Sequence, residues 1–103
     1  MIRVDNKVYK ITDYKCNEFT VSTTILHAGM NTNGHNHENA EGYYVISGTG
    51  ILETDKTVNI APMEFYYIKP NLFHKVYNDS NSDLMFICFW INNQENCIAT
   101  EKN

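Results

Sequence analysis

The sequence predicts an all-β protein, and two observations lead to that class. Short segments rich in β-branched and aromatic residues recur along the chain, whereas the apolar spacing typical of a helix is hard to find. Turn-forming compositions lie between these segments: SGTG at 47–50, TDK at 54–56, KPN at 69–71 and NDSNSD at 78–83. Many short strands with frequent turns are typical of a β-sandwich or a β-barrel.

The predicted strands cover residues 7–11, 19–27, 42–47, 50–53, 57–60, 65–69, 73–78 and 84–91. Gly48 and Gly50 are predicted to form a hairpin turn, because glycine accepts positive φ without steric cost. The last segment, LMFICFWI, is apolar on both faces, so both sides of that strand should be covered. One side would face the barrel core, and the other would face a partner subunit or a second sheet.

The length of 103 residues predicts one domain over 1–103, with a barrel core at about 19–91 and a polar tail at 92–103. A chain this short buries roughly 60–70% of its unfolded surface, so its core is thin. Dimerisation would add buried area and would cover the apolar strand at 84–91. We therefore expect a homodimer.

Charge and cysteine content exclude several partners and compartments. The formal net charge is -4 with no basic cluster, which disfavours nucleic acid and anionic membranes. The longest apolar run has eight residues, too few to span a bilayer, and no signal peptide is recognised at the N-terminus. Cys16, Cys88 and Cys97 are odd in number and far apart, as expected of reduced thiols. We therefore predict a cytoplasmic protein whose partner is a small molecule.

Four side chains form a candidate metal site. His35 and His37 are two residues apart, so on an extended segment both rings face the same way. Glu41 adds an anionic oxygen where the next strand begins, and His74 adds a third imidazole from much later in the chain. Three imidazoles and one carboxylate leave about two positions open on a six-coordinate ion, as Lewis-acid or oxygen chemistry requires.

These residues resemble the two cupin motifs. Gly29, His35, His37, Glu41 and Gly48 have the gaps of the first motif at every defined position. The segment IKPNLFHKVYN at 68–78 is similar to the second motif, with its proline at 70, the histidine already named and an asparagine at 78. The resemblance covers roughly the central half of the chain. It implies a double-stranded β-helix, that is, a jelly-roll barrel, often dimeric, with metal inside one end.

Two positions depart from the second motif. Met63 stands where that motif usually opens with a glycine, which makes the preceding hairpin turn less certain. Asn71 stands where a glycine usually precedes the last histidine, and asparagine tolerates the left-handed conformation better than most residues. The turn at the asparagine is therefore expected to survive, and all four metal-ligand positions are intact.

Alternative interpretations accompany the other candidate residues. The four-residue cluster could belong to a barrel without metal. Tyr43 lies two residues after Glu41 on the same strand face, so its phenol could donate a proton to a substrate or simply pack in the barrel. His27 is interpreted as a structural or rim histidine rather than a fifth ligand. Phe86 and Trp90 share a face and are expected to form an apolar wall.

The cupin resemblance does not imply one reaction. We expect a metal-dependent enzyme of the isomerase, epimerase or lyase type, acting on a sugar-like or polyoxygenated substrate with Glu41 and Tyr43 as catalytic residues. An iron-dependent dioxygenase is the first alternative, and a non-catalytic module that binds metal or sugar is the second. The ligand set would accept a divalent manganese, iron, nickel, copper or zinc ion.

Overall fold

The computed structural model describes residues 1–92, which form nine β-strands. The strands are β1 (Ile2–Asp5), β2 (Tyr9–Lys15), β3 (Phe19–Leu26), β4 (Glu41–Ser47), β5 (Gly50–Glu53), β6 (Thr57–Ile60), β7 (Phe65–Ile68), β8 (Lys75–Tyr77) and β9 (Leu84–Ile91). The predicted all-β class is confirmed. Residues 93–103, which hold Cys97 and nearly all of the predicted tail, lie outside the described part of the chain.

The nine strands form two antiparallel sheets. The larger sheet has six strands in the order β1-β2-β3-β9-β4-β7, and the smaller has three in the order β6-β5-β8. Strands distant in sequence are neighbours in the larger sheet, since β9 pairs with both β3 and β4. This arrangement is that of the predicted jelly-roll barrel. Within residues 1–92 no helix is long and apolar enough to cross a membrane.

The two N-terminal strands differ from the prediction. The strand predicted at 7–11 is Tyr9–Lys15, and β1 was missed altogether. The segment IRVD of β1 alternates apolar and charged residues, but it has only four residues, of which three are exposed and one is half buried. It is an edge strand held by pairing with β2 alone, and such pairing leaves little local signal in the sequence. The predicted strand at 73–78 is shorter, at Lys75–Tyr77.

The core lies between the sheets and consists of alternate residues from most strands. Its fully or almost fully buried members include Leu26, Val45, Leu52, Ile60, Ile68, Val76, Leu84 and Phe86. Cys88 is also buried in the core, and it is a free thiol. Each β9 residue named here lies at an even-numbered position, so one face of that strand lines the core throughout.

Strand β3 buries the more polar of its two faces. Its inward residues are Thr20, Ser22, Thr24 and Leu26. Val21 and Ile25 lie on the opposite face and are only half buried. The Ser22 hydroxyl donates a hydrogen bond to Asp13 at 2.5 Å, so the buried polar group is satisfied. The interior wall formed by β3 is therefore lined with hydroxyl groups, and its apolar residues face outward.

Asn78 stabilises the turn that follows β8. Its side chain is 1% exposed and donates hydrogen bonds to the carbonyls of Leu26 and Ser82, at 2.9 and 2.8 Å. Its side-chain oxygen accepts from the Ser80 backbone N–H and hydroxyl, at 3.1 and 2.8 Å. The residue is therefore structural, because every polar atom of its amide is used within the fold.

Both departures from the motif glycines take the left-handed backbone conformation. Met63 has φ of 69° and Asn71 has φ of 64°, and they are the non-glycine residues with positive φ in the described chain. The Asn71 turn survives, as expected, and its N–H donates to the His37 carbonyl at 2.6 Å. The hairpin turn at Met63 also forms, with the Met63 N–H bonded to the Val45 carbonyl at 2.9 Å. Methionine adopts this conformation at an energetic cost that glycine would not incur.

We expect Met63→Gly to stabilise the protein by about 1 kcal/mol, because it removes the left-handed strain of a side chain that is 80% exposed. Met63→Ala is the matched control, since it removes the same side chain but keeps the Cβ atom that causes the strain. Urea unfolding of the three proteins measures the difference in free energy. Equal stability of the glycine and alanine variants would contradict the prediction.

Candidate metal centre

Backbone pairing brings His35 and His74 together although 38 residues separate them. The two residues form an isolated antiparallel bridge. The His35 N–H donates to the His74 carbonyl at 3.1 Å, and the His74 N–H donates to the His35 carbonyl at 2.9 Å. The segment with His37 is held in the same place by the bond from Asn71 to the His37 carbonyl. The loop that carries His35 and His37 is therefore fixed by two separate sets of backbone hydrogen bonds to the segment between β7 and β8.

Glu41 is the first residue of β4 and is 5% exposed. It pairs with Ile68 of β7 on one side and with Trp90 of β9 on the other. A residue between two neighbouring strands has its backbone position fixed from both sides. The inward face of β4, which also carries Tyr43 and Val45, therefore directs the carboxylate toward the histidines.

The four predicted ligands converge on one point. One candidate ligand atom from each of His35, His37, Glu41 and His74 lies within 4.8 Å of all the others. The Glu41 Oε1 atom is 3.1 Å from His37 Nε2 and 3.2 Å from His74 Nε2. The ring centroids of His35 and His74 are 4.4 Å apart. The structure thus brings together every residue that the sequence assigned to the metal.

The hydrogen bonds of His74 indicate that a cation belongs between His74 and Glu41. Its Nδ1 atom is 2.9 Å from the Leu72 carbonyl, which can only accept, so Nδ1 carries the hydrogen. In the neutral ring the lone pair is then on Nε2, which faces the Glu41 carboxylate. Two lone pairs face each other at 3.2 Å, and Nε2 is buried without a hydrogen-bond partner. A proton or a metal ion between them resolves this repulsion.

The pKa values of the histidines agree with that description. Burial lowers the pKa of His74, but the Glu41 carboxylate and the Leu72 carbonyl outweigh it, so the pKa of His74 is raised above 6.5. Burial and the neighbouring imidazoles lower the pKa of His35 below 6.5. Of these two histidines, His74 beside Glu41 therefore holds a proton to higher pH in the metal-free cluster. A divalent cation would replace that proton there.

The donor set fits a divalent transition metal. Three imidazoles with one carboxylate suit manganese, iron, nickel, copper or zinc, whereas calcium and magnesium favour oxygen ligands. His37 Nδ1 is a second buried nitrogen without a partner, so the cluster offers more lone pairs than its own donors can satisfy. The residues present therefore fit a metal ion as a group, although the choice among these metals is open.

A cavity of about 340 Å³ opens onto the cluster. His35, His37 and Glu41 form part of its wall, and Phe86 and Trp90 form the predicted apolar part. A volume of this size is at the lower end of the range for small-molecule sites. The cavity can therefore hold a small organic molecule next to the metal ligands.

Tyr43 lies in this wall, as predicted. Its ring stacks on Phe86 at 5.3 Å between centroids and meets the edge of His74 at 5.9 Å. Burial, with smaller contributions from Cys88 and Glu41, raises the pKa of Tyr43 well above 10. The phenol therefore keeps its proton at neutral pH and can act as a hydrogen-bond donor, in addition to packing in the barrel.

Other aromatic and histidine candidates lie outside the cavity. His27 is 3.3 Å from Asp83 and does not join the metal cluster, which agrees with a rim position. The Tyr66 hydroxyl donates to Glu64, and Tyr66 does not line the cavity. Local burial and the hydrogen bond to Glu64 raise the pKa of Tyr66 to about 12. Tyr67 is 60% exposed on the outer face.

Sequence reasoning missed Arg3, which also lines the cavity. Its guanidinium is oriented by Asp13, with Nε at 3.0 Å and Nη2 at 3.1 Å from the two carboxylate oxygens. The Ser22 hydroxyl donates a hydrogen bond to the same carboxylate. No motif signals this arginine, which lies on the short edge strand β1. Its place in the cavity follows only from the pairing of β1 with β2.

The comparisons with known proteins agree with the fold. A family model described as "Cupin domain" matches residues 22–90, which is about two thirds of the chain. The chain belongs to this cupin family. No curated protein matches the sequence significantly.

Solved structures resemble the whole barrel at low sequence identity. A Cupin 2 conserved barrel domain protein from Salinispora arenicola is 19% identical, with TM-score 0.81 over 98% of this chain and 90% of the other. A predicted oxalate decarboxylase from Thermotoga maritima is 21% identical, with TM-score 0.75 over 81% and 79%. KdgF from Halomonas sp. is 12% identical, with TM-score 0.77 over 92% and 91%. These similarities establish the fold and leave the reaction open.

Proposed function

We propose that this cupin is a metal-dependent enzyme that carries out redox-neutral chemistry on a small polyoxygenated acid, such as a sugar acid. The observation that carries the proposal is the metal cluster in the wall of a cavity that also contains hydroxyl, amide and aromatic side chains. Isomerases, epimerases and lyases all fit this description. The fold neighbours carry names of different activities, so the proposal rests on the cavity itself.

Each residue of the site has a distinct task in this proposal. His35, His37, Glu41 and His74 would hold the ion, which when bound supplies a Lewis acid that polarises a carbonyl or hydroxyl oxygen. Glu41 is proposed to take part in proton movement as well, because its carboxylate lies at the cavity wall. Tyr43 would donate a hydrogen bond to a substrate oxygen that develops negative charge, since its raised pKa keeps the phenol protonated.

Arg3 would hold the acidic group of the substrate. Its Nε and Nη2 atoms are used by Asp13, and Nη1 makes no hydrogen bond to residues 1–92. Arginine binds carboxylates and phosphates through a planar set of donors, and this one is already oriented. The aromatic wall of Phe86 and Trp90 would contact the less polar face of the molecule. An oxygen-rich acid would therefore contact Arg3 with its acidic group and the aromatic wall with its less polar face.

The experiment is turnover of a panel of sugar acids and hexose phosphates by metal-loaded protein, followed by NMR while an oxygen electrode records consumption. We expect conversion without oxygen uptake. Tyr43→Phe should lower kcat by about 100-fold, because it removes the hydroxyl while keeping the ring stacked on Phe86. Metal content measured on the same samples controls for loss of the ion.

Two outcomes would replace this function with another. Stoichiometric oxygen uptake would assign the iron-dependent dioxygenase, which the same three-histidine, one-glutamate set could serve. Binding without conversion across the panel would assign the non-catalytic module.

An intracellular, cytoplasmic location is part of the proposal, supported by the free thiols of Cys16 and Cys88.

A further inference from the structure

Arg3 and Tyr43 lie at opposite ends of one row of side chains that crosses the six-stranded sheet. Asp13 of β2 pairs with Ser22 of β3, and Ser22 pairs with Cys88 of β9. Cys88 in turn pairs with Tyr43 of β4. Residues directly opposite each other on neighbouring strands point to the same face, so these side chains share the inner face of the sheet. Arg3, Cys88 and Tyr43 all belong to the wall of the cavity beside the metal cluster.

A local irregularity of β1 directs Arg3 toward this row. The register of the β1–β2 pair shifts between Ile2 and Val4, so Arg3 is an extra residue with no partner on β2. Bulges of this kind re-aim a side chain at the edge of a sheet. The Arg3 Nη2 atom is 3.1 Å from Asp13 Oδ1 and 3.4 Å from Ser22 Oγ. The guanidinium is therefore held at the β2–β3 end of the row.

Asp13 occupies one edge of the guanidinium and leaves the Nη1 group for a ligand. Its carboxylate oxygens take Nε and Nη2, at 3.0 and 3.1 Å, and its side chain is only 11% exposed. An arginine held in this way loses little side-chain entropy when it binds an anion. The ion pair of Arg3 with Asp13 has no net charge, so it selects a ligand by directed hydrogen bonds rather than by a long-range field.

The row also sets the distance between Arg3 and the metal end of the cavity. Ser22, beside the guanidinium, and Tyr43, whose ring meets the edge of His74, lie two strands apart. Neighbouring strands are separated by about 4.8 Å, so about 10 Å of backbone lies between the two positions. A hydrogen bond covers about 3 Å of such a gap and a metal–oxygen bond about 2 Å. The remainder is more than two adjacent carbon atoms can span.

We propose that the ligand of this cavity carries its acidic group at the end opposite the oxygens that bind the metal, and that Arg3, positioned by Asp13, selects for that acid. The inference rests on the proposed function and narrows its substrate class. Sugar acids with the carboxylate and the carbonyl at opposite ends of the carbon chain belong to this class. Acids that chelate a metal through a carboxylate and a neighbouring hydroxyl do not.

Isothermal titration calorimetry of zinc-loaded protein tests the inference with two matched probes. D-glucuronate carries a carboxylate at the end opposite its aldehyde carbon, and D-glucuronamide has a neutral amide of the same size in that place. We expect the wild-type protein to bind the acid about 10-fold more tightly, as a charge-assisted hydrogen bond to a half-exposed arginine provides. Arg3→Gln should lower this ratio to about 1, because only the acid uses the guanidinium. Lactate, whose hydroxyl and carboxylate are on adjacent carbons, should bind both proteins equally.

Lys10→Gln is the matched control, since it removes one positive charge from β2 at a residue that does not line the cavity. It should keep the wild-type ratio. Arg3→Lys is a second variant of the site: it keeps the charge but loses the planar fork that Asp13 holds, so the ratio should fall to about 3-fold. Circular dichroism checks that each variant is folded.

Three results would overturn the inference. The same acid-to-amide ratio in the wild type and in Arg3→Gln would place the carboxylate on the metal. Lower lactate affinity in Arg3→Gln would show that the arginine reaches the metal-bound oxygens. Failure of the wild type to bind D-glucuronate would remove the acid site altogether. Because calorimetry needs no turnover, the expected ratios without conversion would refute the proposed enzyme while supporting this inference.

Discussion

Replacing His35 and His37 together by alanine should abolish metal binding. Single ligand losses weaken metal sites strongly, and even residues that only support a ligand contribute 10–100-fold to affinity. Removing both imidazoles leaves Glu41 and His74, which cannot hold a transition metal against buffer ligands. We expect at least about a 1,000-fold lower affinity and no metal after gel filtration, measured by elemental analysis of protein loaded with zinc or manganese.

His27→Ala is the control for this experiment. The histidine is paired with Asp83 and lies outside the cluster, so its removal should leave one metal per chain. Both variants should unfold cooperatively, because neither His35 nor His37 belongs to the hydrophobic core. Full metal content in the double variant would show that the cluster is not the metal site. Loss of metal in His27→Ala would show that the site extends to the barrel rim.

Gly48→Ala should destabilise the protein by about 3 kcal/mol or more. Gly48 has φ of 84°, which costs a side chain roughly 1–2 kcal/mol. A Cβ atom there would also collide with the Asp83 carbonyl oxygen and lie 2.9 Å from the Leu84 Cα atom. Both obstacles are backbone atoms that a rotamer change cannot move, so the overpacking adds a further cost of about 1–3 kcal/mol. Urea or thermal unfolding measures the loss.

Gly29→Ala separates the two causes. Gly29 has nearly the same φ, 76°, but no atom lies within 4 Å of the position its Cβ would take. Its substitution should therefore cost only the conformational part, about 1 kcal/mol. The difference between the two variants isolates the steric collision. Equal losses at both positions would mean that the backbone around Gly48 relaxes freely.

Much of the fold could be predicted because its signals are local. The strands Gly50–Glu53, Thr57–Ile60 and Leu84–Ile91 were predicted with the bounds that the structure has, and each is delimited by turn residues. Turn chemistry and strand propensity act within a few residues, so they can be recognised without knowing the fold. The same holds for the fixed spacing of His35, His37 and Glu41.

The first strand was missed because it is short and most of its residues are exposed. β1 has only four residues and is held as an edge strand by backbone pairing with β2. Arg3 enters the cavity through that pairing, and Asp13 then orients it. No local pattern in the first residues carries this information, since both partners must already be in place.

The sequence by itself determined an all-β cupin domain and four candidate metal ligands, because those features depend on residue type and on the fixed spacings within two motifs. The tertiary structure alone decided how the ligands meet, through the backbone bridge of His35 to His74 and the burial of Glu41 between β7 and β9. It also decided that β3 directs its hydroxyl groups inward and its apolar residues outward. Successive residues of a strand point to opposite faces, so the sequence pattern has the same period for both faces. Only packing against the second sheet determines which face is buried.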